Sequence, residues 1–346
     1  MSYFLIGLAS YAAAALSTWC MIKLAIMDAP VARSSHSAAM PTSGGVSIAA
    51  AALVFAALGQ VFGLELGGFG EVTTLWVLGG VLASALLGLL DDIFHYGSKR
   101  KFFAMLIISA VSIYMLGPVQ AFPLGDSSAA LPAWLGYIGG ALWIFTVMNV
   151  VNFMDGANGM LGLNMLIAVA AAALFVLISQ ASHGAAPVSL FWCAVLAVGL
   201  LGFSQFNVRF GAKIFAGDAG SLSAGYLYSV IVLLAASELP STGVIYLGPL
   251  FILPFFTDVF LTLIRRLRGG HNILQAHNTH LFQRLISGGR SHIKVSLYYA
   301  IAGLFCITLG VLAEVLTLSR SPWFLLAMCA LIVAVYSWVY KTKGQA

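Results

Sequence analysis

Apolar residues run through this chain in blocks of about twenty, separated by short polar clusters. A helix that crosses a bilayer needs about 20 consecutive apolar residues. By that measure the sequence predicts about eleven spans, near 3–26, 44–64, 74–90, 102–118, 132–151, 159–179, 188–206, 219–237, 244–264, 295–316 and 322–340. The expected fold is an all-α polytopic integral membrane protein. It forms one transmembrane domain over residues 1–346. The first block lacks a basic leader and a small-residue cleavage site, so it is expected to be a retained span.

Composition agrees with that pattern. Hydrophobic residues make up 61% of the chain and charged residues 8%, against about 25% charged in a soluble domain. The four cysteines are scattered through apolar blocks and suggest neither a disulfide framework nor a metal site. Of the 16 Lys and Arg, all but Arg320 fall in or beside the connections after odd-numbered spans, or at the C-terminus. Basic residues mark the cytoplasmic side. The N-terminus is therefore expected outside and the C-terminus in the cytoplasm. The net charge of +5 follows from this bias and implies no nucleic-acid partner.

Acidic residues sort differently. Glu65, Glu71, Asp126, Glu238 and Glu314 fall towards the outer side, whereas Asp28, Asp91, Asp92, Asp155, Asp218 and Asp258 fall on the inner side. Five inner connections, about 27–43, 91–101, 152–158, 207–218 and 265–294, each carry a polar cluster. The pair Asp91–Asp92 ends an oily run, "LASALLGLLDD". Adjacent carboxylates at a membrane surface repel unless a cation joins them. Mg²⁺ suits them, because it takes one or two carboxylates plus phosphate oxygens and water; one of the pair could equally act as a base. Taken singly, each cluster has a plain structural reading. "DD" is a solvated helix end, "DGANG" a turn, and "GDAGS" a helix start capped by Asp218 or a phosphate cradle. His95 and His292 read as surface residues, and Arg265, Arg266 and Arg268 as topology anchors. Asp258, inside the ninth span, is either functional or an internal ion partner. The convergence of all five clusters on one face favours an active site there.

"RSSHSAAMPTSGG", "GLLDD", "NVVNFMDGANG", "KIFAGDAGS" and "HNTH" stand in an order and spacing that resembles the polyprenyl-phosphate N-acetylhexosamine-1-phosphate transferases. The likeness spans roughly residues 28–285. It implies transfer of N-acetylhexosamine 1-phosphate (GlcNAc, or a 6-deoxy sugar such as FucNAc or QuiNAc) from a UDP-sugar to undecaprenyl phosphate. UMP would be released and a lipid-linked glycan of the O-antigen kind begun. The peptidoglycan enzyme phospho-N-acetylmuramoyl-pentapeptide transferase is the alternative within the family, and a membrane transporter the alternative outside it. The resemblance further implies a Mg²⁺ or Mn²⁺ cofactor, a multi-pass location in the bacterial inner membrane and a site facing the cytoplasm; a homodimer is compatible with it.

Position by position, the resemblance assigns catalytic roles to Asp91, Asp92, Asp155, Asp218, His277 and His280. Asp218, Asp91, Asp92 and Asp155 are the expected metal ligands. Arg33, His36, Asn152, Asn158, Asn207, Lys213, Arg265 and Arg284 are expected to bind substrate. Two departures stand out. Asn158 replaces the second acid of the Asp-Gly-x-Asp-Gly pattern many relatives carry, and "HNTH" is thinner than the three or more histidines of several relatives.

Overall fold

The computed structural model describes residues 2–28, 39–62, 70–179, 187–208, 211–240, 242–272, 275 and 277–343. Thirteen α-helices account for most of them: α1 (Ser2–Leu24), α2 (Val46–Val61), α3 (Gly70–Phe94), α4 (Ser98–Leu116), α5 (Ala133–Met154), α6 (Met160–Ser179), α7 (Val188–Asn207), α8 (Gly217–Glu238), α9 (Val244–Phe251), α10 (Leu253–Arg268), α11 (Leu281–Ser287), α12 (His292–Val315) and α13 (Pro322–Lys343). Among the described residues eight helices are long and apolar enough to cross a membrane, or nine with α9 and α10 taken as one broken span. The protein is thus a multi-pass, all-helical membrane protein.

Each of the eleven expected spans coincides with a helix or helix pair, but the second, fourth and ninth depart from a full straight span. The second, α2, has only 16 residues, about 24 Å at the helical rise and short of the ~30 Å hydrocarbon core. The fourth, α4, opens with Lys99, Arg100 and Lys101, so its apolar part begins a turn later. The ninth expected span is not one rod: α9 and α10 meet at Ile252 with a bend of 69°. Pro249 inside α9 and Pro254 at the start of α10 remove two amides from the ladder and account for the break.

The core is built round α8, 94% of whose most apolar window is buried, against 28% for α1 and 17% for α13. Its opening, "GDAGSLSAG", is small-residued, which lets neighbouring backbones approach in the absence of a strong hydrophobic drive between helices in lipid. On α3, Gly88 lies directly against the Asp218–Ala219 backbone, where any Cβ would collide. At the end where the polar clusters lie, a short antiparallel pairing of β1 (Met27–Asp28) with β2 (Met40–Pro41) closes the first loop. At the opposite end a hairpin of β3 (Ala121–Leu124) and β4 (Ser127–Ala130) is pinned by Tyr246, whose hydroxyl donates to the Pro123 carbonyl at 2.7 Å.

Candidate active site

α3 ends, and α8 begins, at one point of the bundle, and this brings Asp91, Asp92 and Asp218 together. Gly217, with φ of +68°, makes the tight entry into α8. The first amides of a helix have no partner in its own ladder. Here Asp92 supplies one from another helix: its Oδ1 accepts from the Asp218 amide at 3.0 Å. Its Oδ2 accepts from the Ser43 hydroxyl at 2.6 Å. Asp92 is therefore a cap shared between three loops, with both oxygens engaged.

Asp91 differs from its neighbour. Its Oδ1 is buried with no partner among the described residues, and its Oδ2 lies 3.6 Å from Lys101 Nζ. Lys101 also donates to Asp218 Oδ2 and, at 3.1 Å, to Asn152 Oδ1. Asn152 Nδ2 in turn donates to Asp218 Oδ1 at 2.6 Å and to the Ser221 hydroxyl at 2.8 Å. One ammonium thus joins two carboxylates and an amide drawn from α3, α5 and α8. Lys101, counted above only as a topology charge, is the member of this cluster that sequence reasoning missed; its place in the basic triplet 99–101 hid it.

Asp155 caps the C-terminus of α5, beside this cluster. Burial, and then the charges of Asp218 and Asp92, push its carboxyl well above the usual range. Asn207 and Asn158 do structural work. Asn207 is buried, accepts from the Gly159 amide at 2.7 Å and donates to the Ile214 carbonyl at 2.9 Å, tying the third loop to the fourth. Asn158 holds α12 through its backbone: its amide donates to His292 Nδ1 at 3.4 Å and its carbonyl accepts from Ser296 at 2.8 Å. Its side-chain Oδ1 is buried with no partner among the described residues. His292, expected at the surface, is drawn into this contact. Lys213 is exposed on the fourth loop.

The fifth loop packs on the third. The His280 ring lies 6.2 Å from that of Phe153 and 5.0 Å from that of His277. Burial, and then the positive fields of His280 and Arg266, lower His277 to about 4, so its ring is neutral near pH 7. Arg265 and Arg284 both stand over the Tyr340 ring, at 3.8 and 4.9 Å. Arg33 and His36 lie outside the described residues.

Among the described residues no three His, Cys, Asp or Glu side chains are grouped to hold a metal ion. The donor set nevertheless suits Mg²⁺ with a phosphate substrate. Asp91 offers an unpartnered buried oxygen and meets Asp218 directly, and such ions commonly take one or two carboxylates and complete their shell with phosphate and water.

A membrane helix bundle that gathers carboxylates, an ammonium and imidazoles at one end defines a class of intramembrane enzyme built to handle anionic substrates. Residues 74–236 match the family described as glycosyl transferase family 4. The chain is 30% identical over 331 residues, 93% of itself and 86% of the relative, to a probable undecaprenyl-phosphate N-acetylglucosaminyl 1-phosphate transferase of Bacillus subtilis. It is 25% identical to undecaprenyl-phosphate alpha-N-acetylglucosaminyl 1-phosphate transferases of Yersinia pestis and Escherichia coli K12, each alignment covering 92% of this chain and 84–85% of the relative. The chain belongs to this family of membrane sugar-phosphate transferases.

Proposed function

We propose that the protein transfers N-acetylglucosamine 1-phosphate from UDP-N-acetylglucosamine to undecaprenyl phosphate, releasing UMP and starting a lipid-linked glycan. The observation that carries this is the Asp91–Lys101–Asp218–Asn152 cluster at the end of α3. It combines hard oxygen donors for a cation with a fixed positive charge for a phosphate, at the end of a candidate membrane span. Relatives named for the same lipid and sugar support the choice of substrates.

Phosphoryl transfer depends mainly on positioning and charge neutralisation. A lipid phosphate oxygen attacks the β-phosphorus of the donor, the bond from that phosphorus to the bridging oxygen breaks, and UMP leaves with the electron pair. Asp91 and Asp218 would hold Mg²⁺, which when bound neutralises diphosphate charge. Lys101 faces the charge that develops on the transferring phosphoryl group. Asp92 orients the first turn of α8, and hence Asp218. His277 and His280 bring imidazole donors to the donor substrate.

In this proposal the chain crosses the inner membrane eleven times, with the N-terminus outside and the active site facing the cytoplasm. The test is UMP release by purified protein in detergent, with undecaprenyl phosphate, a panel of UDP-N-acetylhexosamines, and Mg²⁺ or EDTA. Release with UDP-GlcNAc that requires both lipid and metal is expected. Metal-replete, folded protein that releases no UMP from any donor would overturn it.

A further inference from the structure

Asp258 lies in α10 just past the break, and none of its surface reaches solvent. A carboxylate there is costly unless donors surround it. Five do. The Leu281 amide reaches Oδ1 at 2.9 Å and the Phe282 amide Oδ2 at 3.2 Å. The Tyr299 hydroxyl on α12 reaches Oδ2 at 2.6 Å, and the Tyr336 hydroxyl on α13 reaches Oδ1 at 2.9 Å. Thr262, one turn along α10, reaches Oδ1 at 3.2 Å. One carboxyl group thus collects α10, α11, α12 and α13.

What it holds is the start of α11. The residue in the cap position there is His280, whose Nδ1 stands 3.4 Å from Asp258 Oδ1. The loop caps itself in part, with the Gln283 side chain accepting from the His280 amide at 3.1 Å, but an imidazole stands where Ser, Thr, Asp or Asn is usual. Asp258 instead receives the two free amides from outside the loop. The irregular segment before α11 carries His277, so the same anchor sets His280 against Phe153, two residues from Asp155, and His277 against His280. The most peripheral helix is clamped to the same loop. Arg265 donates to Tyr336 at 2.8 Å, and Arg265 and Arg284, from either side of the loop, stack on Tyr340.

We propose that Asp258 is a positioning residue of the transferase site, and that through Tyr336 it makes α13 a working part of that site. This rests on the transferase function proposed above. Asp258 touches no reacting atom. It fixes the first turn of α11, and with it the His277–His280 pair, on a rigid helix, as a site that must be held to a fraction of an ångström requires.

The test compares wild type with Tyr336→Phe, Tyr299→Phe, Asp258→Asn and His280→Ala, and with the double variant Tyr336→Phe/His280→Ala. Each Phe removes one hydroxyl and keeps the ring. Tyr336→Phe is expected to melt within a few degrees of wild type. Its kcat/KM for UDP-GlcNAc should fall about tenfold, the worth of one hydrogen bond to a carboxylate, while KM for undecaprenyl phosphate stays unchanged. In the His280→Ala background the same change should cost little more, because both act through one imidazole. Trypsin should cut after Arg284 at least several-fold faster in Tyr336→Phe and Asp258→Asn than in wild type. Wild-type kinetics and proteolysis in Tyr336→Phe, or a full independent loss on top of His280→Ala, would overturn the proposal. Should Asp258→Asn fail to accumulate, the two Phe variants decide. A wild-type protein without UMP release would count against the transferase function alone, since the trypsin comparison needs no turnover.

Discussion

Replacing Lys101 with Met keeps the apolar stem and removes the charge that joins Asp91, Asp218 and Asn152. The lysine side chain is 13% exposed, and its partners Asp91 and Asp218 are 17% and 24% exposed. Breaking one side of a fully buried pair costs about 3–5 kcal/mol; discounted for the water that reaches these carboxylates, the loss comes to about 2 kcal/mol. That corresponds to a drop in melting temperature on the order of 5 °C, readable from the fluorescence of the seven tryptophans. Without the ammonium the two carboxylates face each other uncompensated, and a divalent cation relieves them. Millimolar Mg²⁺ should therefore raise the melting temperature of Lys101→Met more than that of wild type. UMP release should fall by about 10²–10³, the usual loss when one fixed donor to a transition-state charge is removed. A variant with wild-type melting and turnover would refute the reasoning, as would Mg²⁺ that stabilises both proteins equally.

The paired aspartates should separate by assay. Asp91→Asn is expected to leave the melting temperature unchanged or higher, since it relieves a carboxylate with an unpartnered oxygen, while Asp92→Asn should lose about 1–3 kcal/mol through a cap that can no longer accept twice; UMP release should fall steeply in both. Gly88→Ala should cost about 1–3 kcal/mol or more by driving α3 off the α8 backbone, and should cut turnover like a loss of Asp218 although it deletes no chemical group; wild-type turnover would show that the two helices tolerate separation. His277 is held at about 4 against an ordinary 6.5, so the folded protein binds fewer protons than the unfolded chain between those values. Stability should therefore decline as pH falls from 6.5 towards 4. His277→Gln should melt with a shallower dependence over that window, and an unchanged slope would place the ring in water.

Much of this architecture could be read from the order of residues because lipid enforces it. Each apolar block became a helix, since no other structure satisfies the backbone in hydrocarbon except a closed barrel. Of the expected aspartates Asp91, Asp92, Asp155 and Asp218 come together, because the ends of α3 and α5 and the start of α8 meet there, while Asp258 lies apart in α10. The bend at Ile252 was missed because the apolar run is long enough for one straight span, although Pro249 and Pro254 flank the break. The division of labour between Asp91 and Asp92 was not legible. It depends on which carboxyl points to an amide 126 residues away, and two adjacent letters carry no such information. Lys101 was hidden among charges that serve topology, and Asp258 could not be told from an internal ion partner until five donors were seen around it.

The cap that Asp92 provides also has a bearing on how the chain is made. Residue 92 leaves the ribosome 126 residues before the amide it will hold, an interval of about 6–25 s at ordinary rates of synthesis. Throughout that time Asp91 and Asp92 sit at the end of an inserted helix with Lys101 and Ser43 at hand but without α8. Docking of α8, the most enclosed of the candidate spans, brings Asp218 and its amide to Asp91 and Asp92, while the fifth inner loop with His277 and His280 and the helices α9–α13 are still to be made. Chains that end before α8 therefore lack the cluster that Lys101 and Asn152 make with Asp91 and Asp218.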